Sequence, residues 1–158
     1  MIGRTLLVAV LMLTLALPAF GQRSERFASG DGIELAVAWS PEQPTLLEVV
    51  TLGVTVTHEA GRVLRVSDAI EAAGDPTLAD EVLGPMLGDF LVRSIRTDPP
   101  VRTDDGRIAR RWTIELEPFV PGSASLPALG FAIDGGGRVR TDAATIEVLG
   151  VIAEGDDA

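Results

Sequence analysis

Residues 107–122 read RIARRWTIELEPFVPG, and this stretch decides which class of fold the chain can form. Trp112, Ile114 and Leu116 recur at every second position, with polar residues between them. A period of two places the apolar side chains on one face of a β-strand and the polar side chains on the other. Pro118 ends the pattern, because a proline cannot donate a hydrogen bond inside a sheet. The sequence therefore predicts a half-buried strand that stops at a corner.

The same alternation recurs along the chain. It is clearest in IELAVAW (33–39) and in LLEVVTLGVTVTHE (46–59), where valine and leucine alternate with threonine. Further strand signals occupy residues 62–66, 90–97, 125–134 and 138–152. The turn sequences Asp105-Gly106 and DGGG (134–137) separate some of these segments. About seven short strands at regular spacing predict an all-β, immunoglobulin-like antiparallel β-sandwich.

The corner that follows Pro118 has its own turn chemistry. Pro121-Gly122 predicts a type II turn, in which the glycine takes a positive φ. We expect Pro127 to open the next strand and to return Leu129, Phe131 and Ile133 to the core. The corner is thus interpreted as a connection between strands.

Residues 67–86 interrupt the strand series. Ser67 is a candidate N-cap, Asp75-Pro76 a candidate start of a second helix, and Gly84-Pro85 a helix stop. The segment is predicted to form either two short helices or an irregular loop between strands.

This insertion also supplies the candidate partner contact. Its larger apolar residues are Ile70, Leu78, Val82 and Leu83. Either these side chains bind another protein, or they pack on the open end of their own domain. The sequence leaves both alternatives open.

The N-terminus has the features of a secretory signal peptide. Arg4 precedes an uncharged apolar run at residues 5–17, and the small-x-small triplet 19–21 follows it. The run is too short for a membrane-spanning helix, which needs about 20 residues. We predict cleavage near Gly21 and export to the periplasm or the extracellular space.

Cleavage at that position defines the remaining organisation. Residues 22–152 are predicted to form a single β-sandwich domain, and residues 153–158 an acidic tail. No later apolar run reaches membrane-spanning length, so we predict no membrane span in the mature chain.

Composition limits the function further. The formal net charge is −10, and the chain contains no lysine and no cysteine. Nucleic-acid binding requires a cationic surface, so nucleic acid is not an expected partner. The fold must stand without a disulfide.

The chain is also poor in catalytic and metal-binding residue types. A serine triad needs a histidine oriented by a carboxylate, and transition metals need clustered Cys, His or Met. The single histidine, His58, lies at a strand end on the apolar face, where a hydrogen-bonded structural role is the commoner one. We therefore predict no enzyme activity, no catalytic residue, no metal ligand and no cofactor.

Carboxylates leave two alternatives open. Calcium-dependent adhesion would use the turn aspartates Asp98, Asp104, Asp105 and Asp134, although none matches the pattern of a calcium-binding loop. An exported hydrolase would need two converging carboxylates. Glu115 and Glu117 share one face of their strand, but a solvated sheet face explains them more simply.

Several short motifs occur in a familiar order. They are LGDF (87–90), DGR (105–107), RWTIELEPFVPG (111–122) and SLPAL (125–129). In this order the chain resembles the immunoglobulin-like modules of the BatD family, which bacterial aerotolerance operons encode. The resemblance implies an exported, non-catalytic β-sandwich that works with partner proteins in the cell envelope.

Overall fold

The computed structural model describes residues 24–66, 70 and 84–151. These residues form an all-β, sandwich-like fold with antiparallel strand pairing, which confirms the predicted fold class. The predicted signal peptide, most of the insertion and the acidic tail lie outside the described residues. Among the described residues, no helix has the length and apolar character that a membrane span requires.

Strands account for most of the described chain. Their bounds are β1 Ser24–Gly30, β2 Ile33–Ser40, β3 Val50–His58, β4 Leu64–Arg65, β5 Met86–Leu87, β6 Phe90–Thr97, β7 Val101–Arg102, β8 Ile108–Pro118, β9 Gly122–Leu126, β10 Gly130–Ile133, β11 Arg138–Arg140 and β12 Ala144–Val148. Strands β1, β2, β3, β5, β6, β7 and β8 form the larger sheet, and the others form two smaller sheets.

Strand β8 lies at the centre of the larger sheet. It pairs with β3 from the Val50–Leu116 pair to the His58–Ile108 pair. On its other edge it pairs with β6 along its C-terminal half and with β7 at its first residues. The sheet order is therefore β1-β2-β3-β8-β6-β5, with β7 beside β8.

The two faces of the larger sheet differ because side chains alternate along each strand. The apolar residues predicted to share one face are all buried, namely Ile33, Leu35, Val37, Trp39, Val50, Leu52, Val54, Val56, Trp112, Ile114 and Leu116. The outer face carries small and polar side chains, among them Ala36, Ala38, Thr55 and Thr113. The period-two prediction is thus confirmed for the three central strands.

A β-bulge changes the alternation in β6. Val92 pairs with Leu116 and Ser94 with Glu115, so Arg93 has no opposite residue on β8. The extra residue moves Ile95 to the core side, where it packs against the buried cluster. The strict alternation predicted for this strand is therefore wrong beyond Val92.

The second layer is built mainly from one long hairpin. Residues 122–126 pair with 144–148 in one small sheet, and residues 130–132 pair with 138–140 in the other. Strand β4 extends the latter sheet by pairing with β10. The two small sheets therefore contain consecutive halves of a single kinked hairpin.

A reciprocal pair of hydrogen bonds holds the kink. The Leu129 backbone N–H donates to Thr141 Oγ1, and the Thr141 backbone N–H donates to the Leu129 carbonyl, both at 3.0 Å. Both residues are buried, so each polar group needs an internal partner. This arrangement lets the hairpin pass from one sheet to the other without leaving these groups unpaired.

The strands of this hairpin correct two sequence predictions. Residues 125–134 and 138–152 each contribute to two strands instead of one. Pro127 does not open a strand but lies at the kink, where its missing N–H removes no ladder hydrogen bond. The predicted burial of Leu129, Phe131 and Ile133 is confirmed.

Strand β1 was not predicted at all. It pairs with β2 through a turn at Asp31-Gly32, and Gly32 has a φ of 71°. Asp-Gly is a favoured hairpin pair, so the turn was readable in the sequence. The strand itself, SERFASG, is too polar and too rich in small residues to stand out.

Aromatic contact and apolar burial join the two layers. The ring centroids of Trp112 on β8 and Phe131 on β10 are 5.5 Å apart at an interplanar angle of 37°. Buried residues of both small sheets, such as Ile146 and Val139, belong to the same core cluster as the larger sheet. The sandwich therefore has one continuous core.

Two glycines allow the β1–β2 and β10–β11 turns to pack backbone against backbone. A Cβ on Gly30 would collide with the carbonyl oxygen of Arg138, and a Cβ on Gly137 with that of Asp31. Gly130, also in a strand, offers a contrast, because its nearest heavy atom would be 3.8 Å away.

We predict that Gly30→Ala lowers the free energy of unfolding by about 1–3 kcal/mol, because a backbone carbonyl cannot move aside as a flexible side chain can. Gly130→Ala is the matched control and should change stability by less than about 1 kcal/mol. Urea denaturation of the two variants measures the difference. Equal stability of the two variants would show that the turns do not pack as described.

Asp89 links the β5–β6 turn to β9. Its carboxylate accepts the Ser125 backbone N–H at 2.7 Å, and its own backbone N–H donates to the Ser125 carbonyl at 3.0 Å. The hydrogen bond from Ser125 lowers the pKa of Asp89, because it favours the ionised carboxylate.

A lowered pKa in the folded state means that Asp89 stabilises the fold above the unfolded pKa and loses this contribution as the pH falls through the folded pKa. We predict that Asp89→Asn has a shallower loss of stability than the unsubstituted protein below about pH 4. Thermal unfolding across an acid pH series measures the slope. Asp104→Asn, in an exposed turn, is the control, and an unchanged slope in Asp89→Asn would contradict the prediction.

Candidate functional surfaces

One of the four predicted contact residues, Ile70, lies in the described part of the chain. Ile70 is 4% exposed and belongs to the core cluster, which favours packing on its own domain for this residue. Leu78, Val82 and Leu83 lie outside the described residues. For these three the predicted contact stays a prediction.

The ends of the sandwich differ in chemistry. We call one the turn end, formed by the β1–β2 turn, residues 59–63, residues 101–107 and the β10–β11 turn. We call the other the apolar end, formed by residues 41–49, 119–121 and 149–151. Strands β2 and β8 both run from the turn end to the apolar end.

The turn end contains an open cleft of about 300 Å³. Three carboxylates line it, those of Asp31, Glu59 and Asp134, together with the guanidinium of Arg62. The glycines of the β10–β11 turn form part of its wall. Carboxylates that converge in one cleft are the minimal requirement of the hydrolase alternative.

Two of these carboxylates already have partners at this end of the sandwich. Asp134 Oδ1 accepts the Val63 backbone N–H at 2.8 Å, and the Asp134 backbone N–H donates to the Val63 carbonyl at 3.1 Å. Glu59 Oε2 lies 3.7 Å from Arg62 Nε. These contacts favour a structural role for the cleft carboxylates. The described residues contain no group of three His, Cys, Asp or Glu side chains placed to hold a metal ion.

Asp105 in the β7–β8 turn likewise has partners. The Thr103 hydroxyl donates to Asp105 Oδ1, and this bond lowers the pKa of Asp105. Asp105 Oδ2 lies 2.7 Å from Arg107 Nε, and Arg107 also lies 3.2 Å from Glu34 on β2. The hydrogen bond to Glu34 raises the pKa of Arg107. The candidate calcium ligand Asp105 therefore fixes its own turn and connects it to β2.

His58 occupies the position that its sequence pattern indicated. It is 4% exposed at the end of β3, and its Nδ1 lies 2.8 Å from the Glu59 carbonyl oxygen. Its buried Nε2 has no hydrogen-bond partner among the residues that the structure describes. A ring that donates through Nδ1 to a carbonyl is fixed by its backbone, as expected of a structural histidine.

Glu115 and Glu117 lie on the outer face of β8, opposite the buried Ile114 and Leu116. The Ser94 hydroxyl donates to Glu115 Oε2 at 3.1 Å across the strand pair. Glu117 is exposed. The solvated-face interpretation of this pair matches the observed placement.

At the apolar end, hydrogen bonds join two chain segments, and a third segment lies beside them. The Leu149 backbone N–H donates to the Pro44 carbonyl at 2.8 Å, and the Leu46 backbone N–H donates to the Leu149 carbonyl at 3.2 Å. On the other side, a Cβ on Gly150 would lie 4.0 Å from Pro121 Cβ. Residues 149–151 therefore lie between the loop at 41–49 and the corner.

Large apolar side chains point outward from these three segments. Five of the eight large hydrophobic residues exposed in the described part of the chain are here: Leu47 (82% exposed), Val120 (57%), Val151 (53%), Leu149 (44%) and Phe119 (40%). Exposed apolar side chains that gather at one end of a fold are candidates for a binding surface. We refer to these five side chains as the apolar patch.

The charged residues that the described part of the chain places in and beside these three segments have one sign. Residues 41–49, 117–121 and 147–151 contain Glu42, Glu48, Glu117 and Glu147 and no arginine. By strand register the nearest arginine on the β6 side is Arg93, at the bulge beside Leu116. The apolar patch therefore has an acidic rim.

No protein-family model, no curated protein and no solved structure matches the chain. The resemblance to the BatD family stays a prediction.

The sequence interpretation missed the apolar patch although its clearest signal was visible. Phe119 and Val120 lie between two prolines, outside any strand pattern, where large apolar side chains have no sheet face to join. Leu149 and Val151 looked like the end of an alternating strand. Only the fold brings the two segments together with Leu47.

We predict that the patch contributes little to folding. Val120→Ser should change the free energy of unfolding by no more than about 0.5 kcal/mol, as is usual for surface substitutions. Ile114→Ala, in the core, should lower it by about 2–5 kcal/mol. Guanidinium denaturation compares the two variants. A large loss of stability in Val120→Ser would show that the patch is covered within the fold.

Proposed function

We propose that the chain is an exported, non-catalytic β-sandwich module that binds or scaffolds other proteins in the bacterial cell envelope. The observation that carries this proposal is the apolar patch, because such a surface costs free energy in water until a partner covers it. The signal-peptide pattern at residues 1–21 supports export, and the resemblance to BatD modules supports an envelope partner.

The patch has the character of a protein-binding surface. It combines aromatic and aliphatic side chains at its centre with carboxylates around it, as protein interfaces combine an apolar core with a polar rim. Backbone hydrogen bonds hold the loop that carries Leu47 against the segment that carries Leu149, so binding at these two segments does not have to order a flexible chain. Preorganised loops of this kind favour recognition of a specific partner.

Export is tested by expressing the full chain in a Gram-negative host and sequencing the N-terminus of the periplasmic product. We expect the mature chain to begin at Gln22, because the small-x-small triplet ends at Gly21. An uncleaved chain confined to the cytoplasm would contradict export.

Binding is tested by photo-cross-linking in the source bacterium. Leu47→benzoylphenylalanine places a reactive group in the patch, and Val63→benzoylphenylalanine places one at the turn end, where Val63 is 67% exposed. We expect discrete higher-mass adducts in the envelope fraction from position 47 and none from position 63. Identical adduct patterns, or no adduct from position 47, would contradict a partner at the patch.

A further inference from the structure

The negative charges around the apolar patch restrict which kind of partner surface can bind to it. Building on the proposed function, we propose that the patch docks a protein surface that is apolar at its centre and carries lysine or arginine at its edge. The proposal is based on the geometry of the three segments and on the sign of the charges that surround them.

The patch is a fixed surface. Glu48 closes the turn that presents Leu47, since its Oε2 accepts the Thr45 backbone N–H at 2.7 Å and its own N–H donates to the Thr45 carbonyl at 3.2 Å. Leu46, the preceding residue, packs against the core and is bonded to Leu149. Leu47 therefore projects from a turn that is tied both to the core and to the segment carrying Leu149.

Other backbone constraints position the corner. Phe119 directly follows the buried Pro118 that ends β8, and Gly122, with a φ of 101°, starts β9. Val120 and Pro121 are left between two fixed strand ends. The patch can therefore meet a partner without a large ordering cost.

The acidic rim excludes two classes of occupant. A second copy would bring the same carboxylates against each other, because an isologous interface repeats one surface on both subunits. Anionic lipid headgroups would likewise meet like charges. An apolar protein surface edged by basic side chains would bury the apolar side chains of the patch and pair with the carboxylates of its rim.

The two parts of the surface have separable effects. Burial of the apolar side chains supplies most of the affinity and slows dissociation, whereas rim charges mainly raise the association rate and select the partner. Rim charges are also screened by salt, with a Debye length of about 8 Å at physiological ionic strength. Binding should therefore weaken as salt is added, but it should not vanish.

The test uses the mature chain and two fluorescent amphipathic helical peptides as probes, one of leucine and lysine and one of leucine and glutamate. Titration by fluorescence anisotropy gives both dissociation constants. We expect the lysine peptide to bind at least about 10-fold more tightly, a difference of about 1.4 kcal/mol. Equal affinity for the two peptides would overturn the proposal.

Matched variants separate the patch from the overall negative charge. Leu47→Ser/Val120→Ser removes apolar area from the patch, and Val63→Ser/Val101→Ser removes exposed apolar area from the turn end. Glu42→Gln/Glu117→Gln reduces the rim, and Asp31→Asn/Asp104→Asn reduces the charge at the turn end equally. We expect each patch or rim variant to weaken binding of the lysine peptide about 5- to 10-fold and each control by less than about twofold. Circular dichroism verifies that every variant is folded.

The outcomes distinguish this inference from the function on which it rests. If the patch variant loses binding and the rim variant does not, a protein-binding patch stands and the basic edge is overturned. If both controls weaken binding as much as their matched variants, peptide binding depends only on the net charge of the protein, and the inference is overturned. Sedimentation of a dimer that Leu47→Ser abolishes, or binding to phosphatidylglycerol vesicles without peptide binding, would overturn it in favour of a second copy or a membrane.

Discussion

The pairing of β8 on both edges is the constraint on which the rest of the structure depends. Because β3 holds one edge and β6 and β7 share the other, Trp112, Ile114 and Leu116 must point to the same side as the apolar residues of the neighbouring strands. A slip of one residue would place all three on the solvent face. The register of this one strand therefore determines which face of the sheet becomes the core.

The end of β8 also determines where the apolar patch lies. Pro118 cannot continue a central ladder, so the chain leaves the larger sheet there and enters the kinked hairpin of the second layer at Gly122. The hairpin returns to this end at Val148, which pairs with Gly122. Residues on both sides of this junction, Phe119 and Leu149, are thus brought to the same end of the sandwich by strand pairing alone.

The sequence predicted the features that depend on neighbouring residues and missed those that depend on distant segments. Period-two burial in β2, β3 and β8 was predicted correctly because it depends on local alternation, and the positive φ of Gly122 because it depends on one turn. The bulge at Arg93 and the kink at Pro127 were not predicted. Both arise from pairing between distant segments, which leaves no local periodic signal. The same reason explains the patch, because the loop that carries Leu47 is joined to Leu149 by hydrogen bonds from Leu46 and to Pro44, about 100 residues apart in the chain.

The two ends of the sandwich differ in how their loops are held and in which side chains they expose. At the turn end the loops are occupied with one another, since the glycines at 30 and 137 allow direct backbone contact and Asp134 bonds the neighbouring segment. At the apolar end backbone hydrogen bonds hold the loop at 41–49 against Leu149, and the large side chains of these segments remain exposed. The polar groups of the loop stabilise the fold through hydrogen bonds, but its exposed leucine side chain adds no stability, because it is not buried. Under the proposed function such a side chain is covered by a partner, and the carboxylates around it favour a partner with basic side chains.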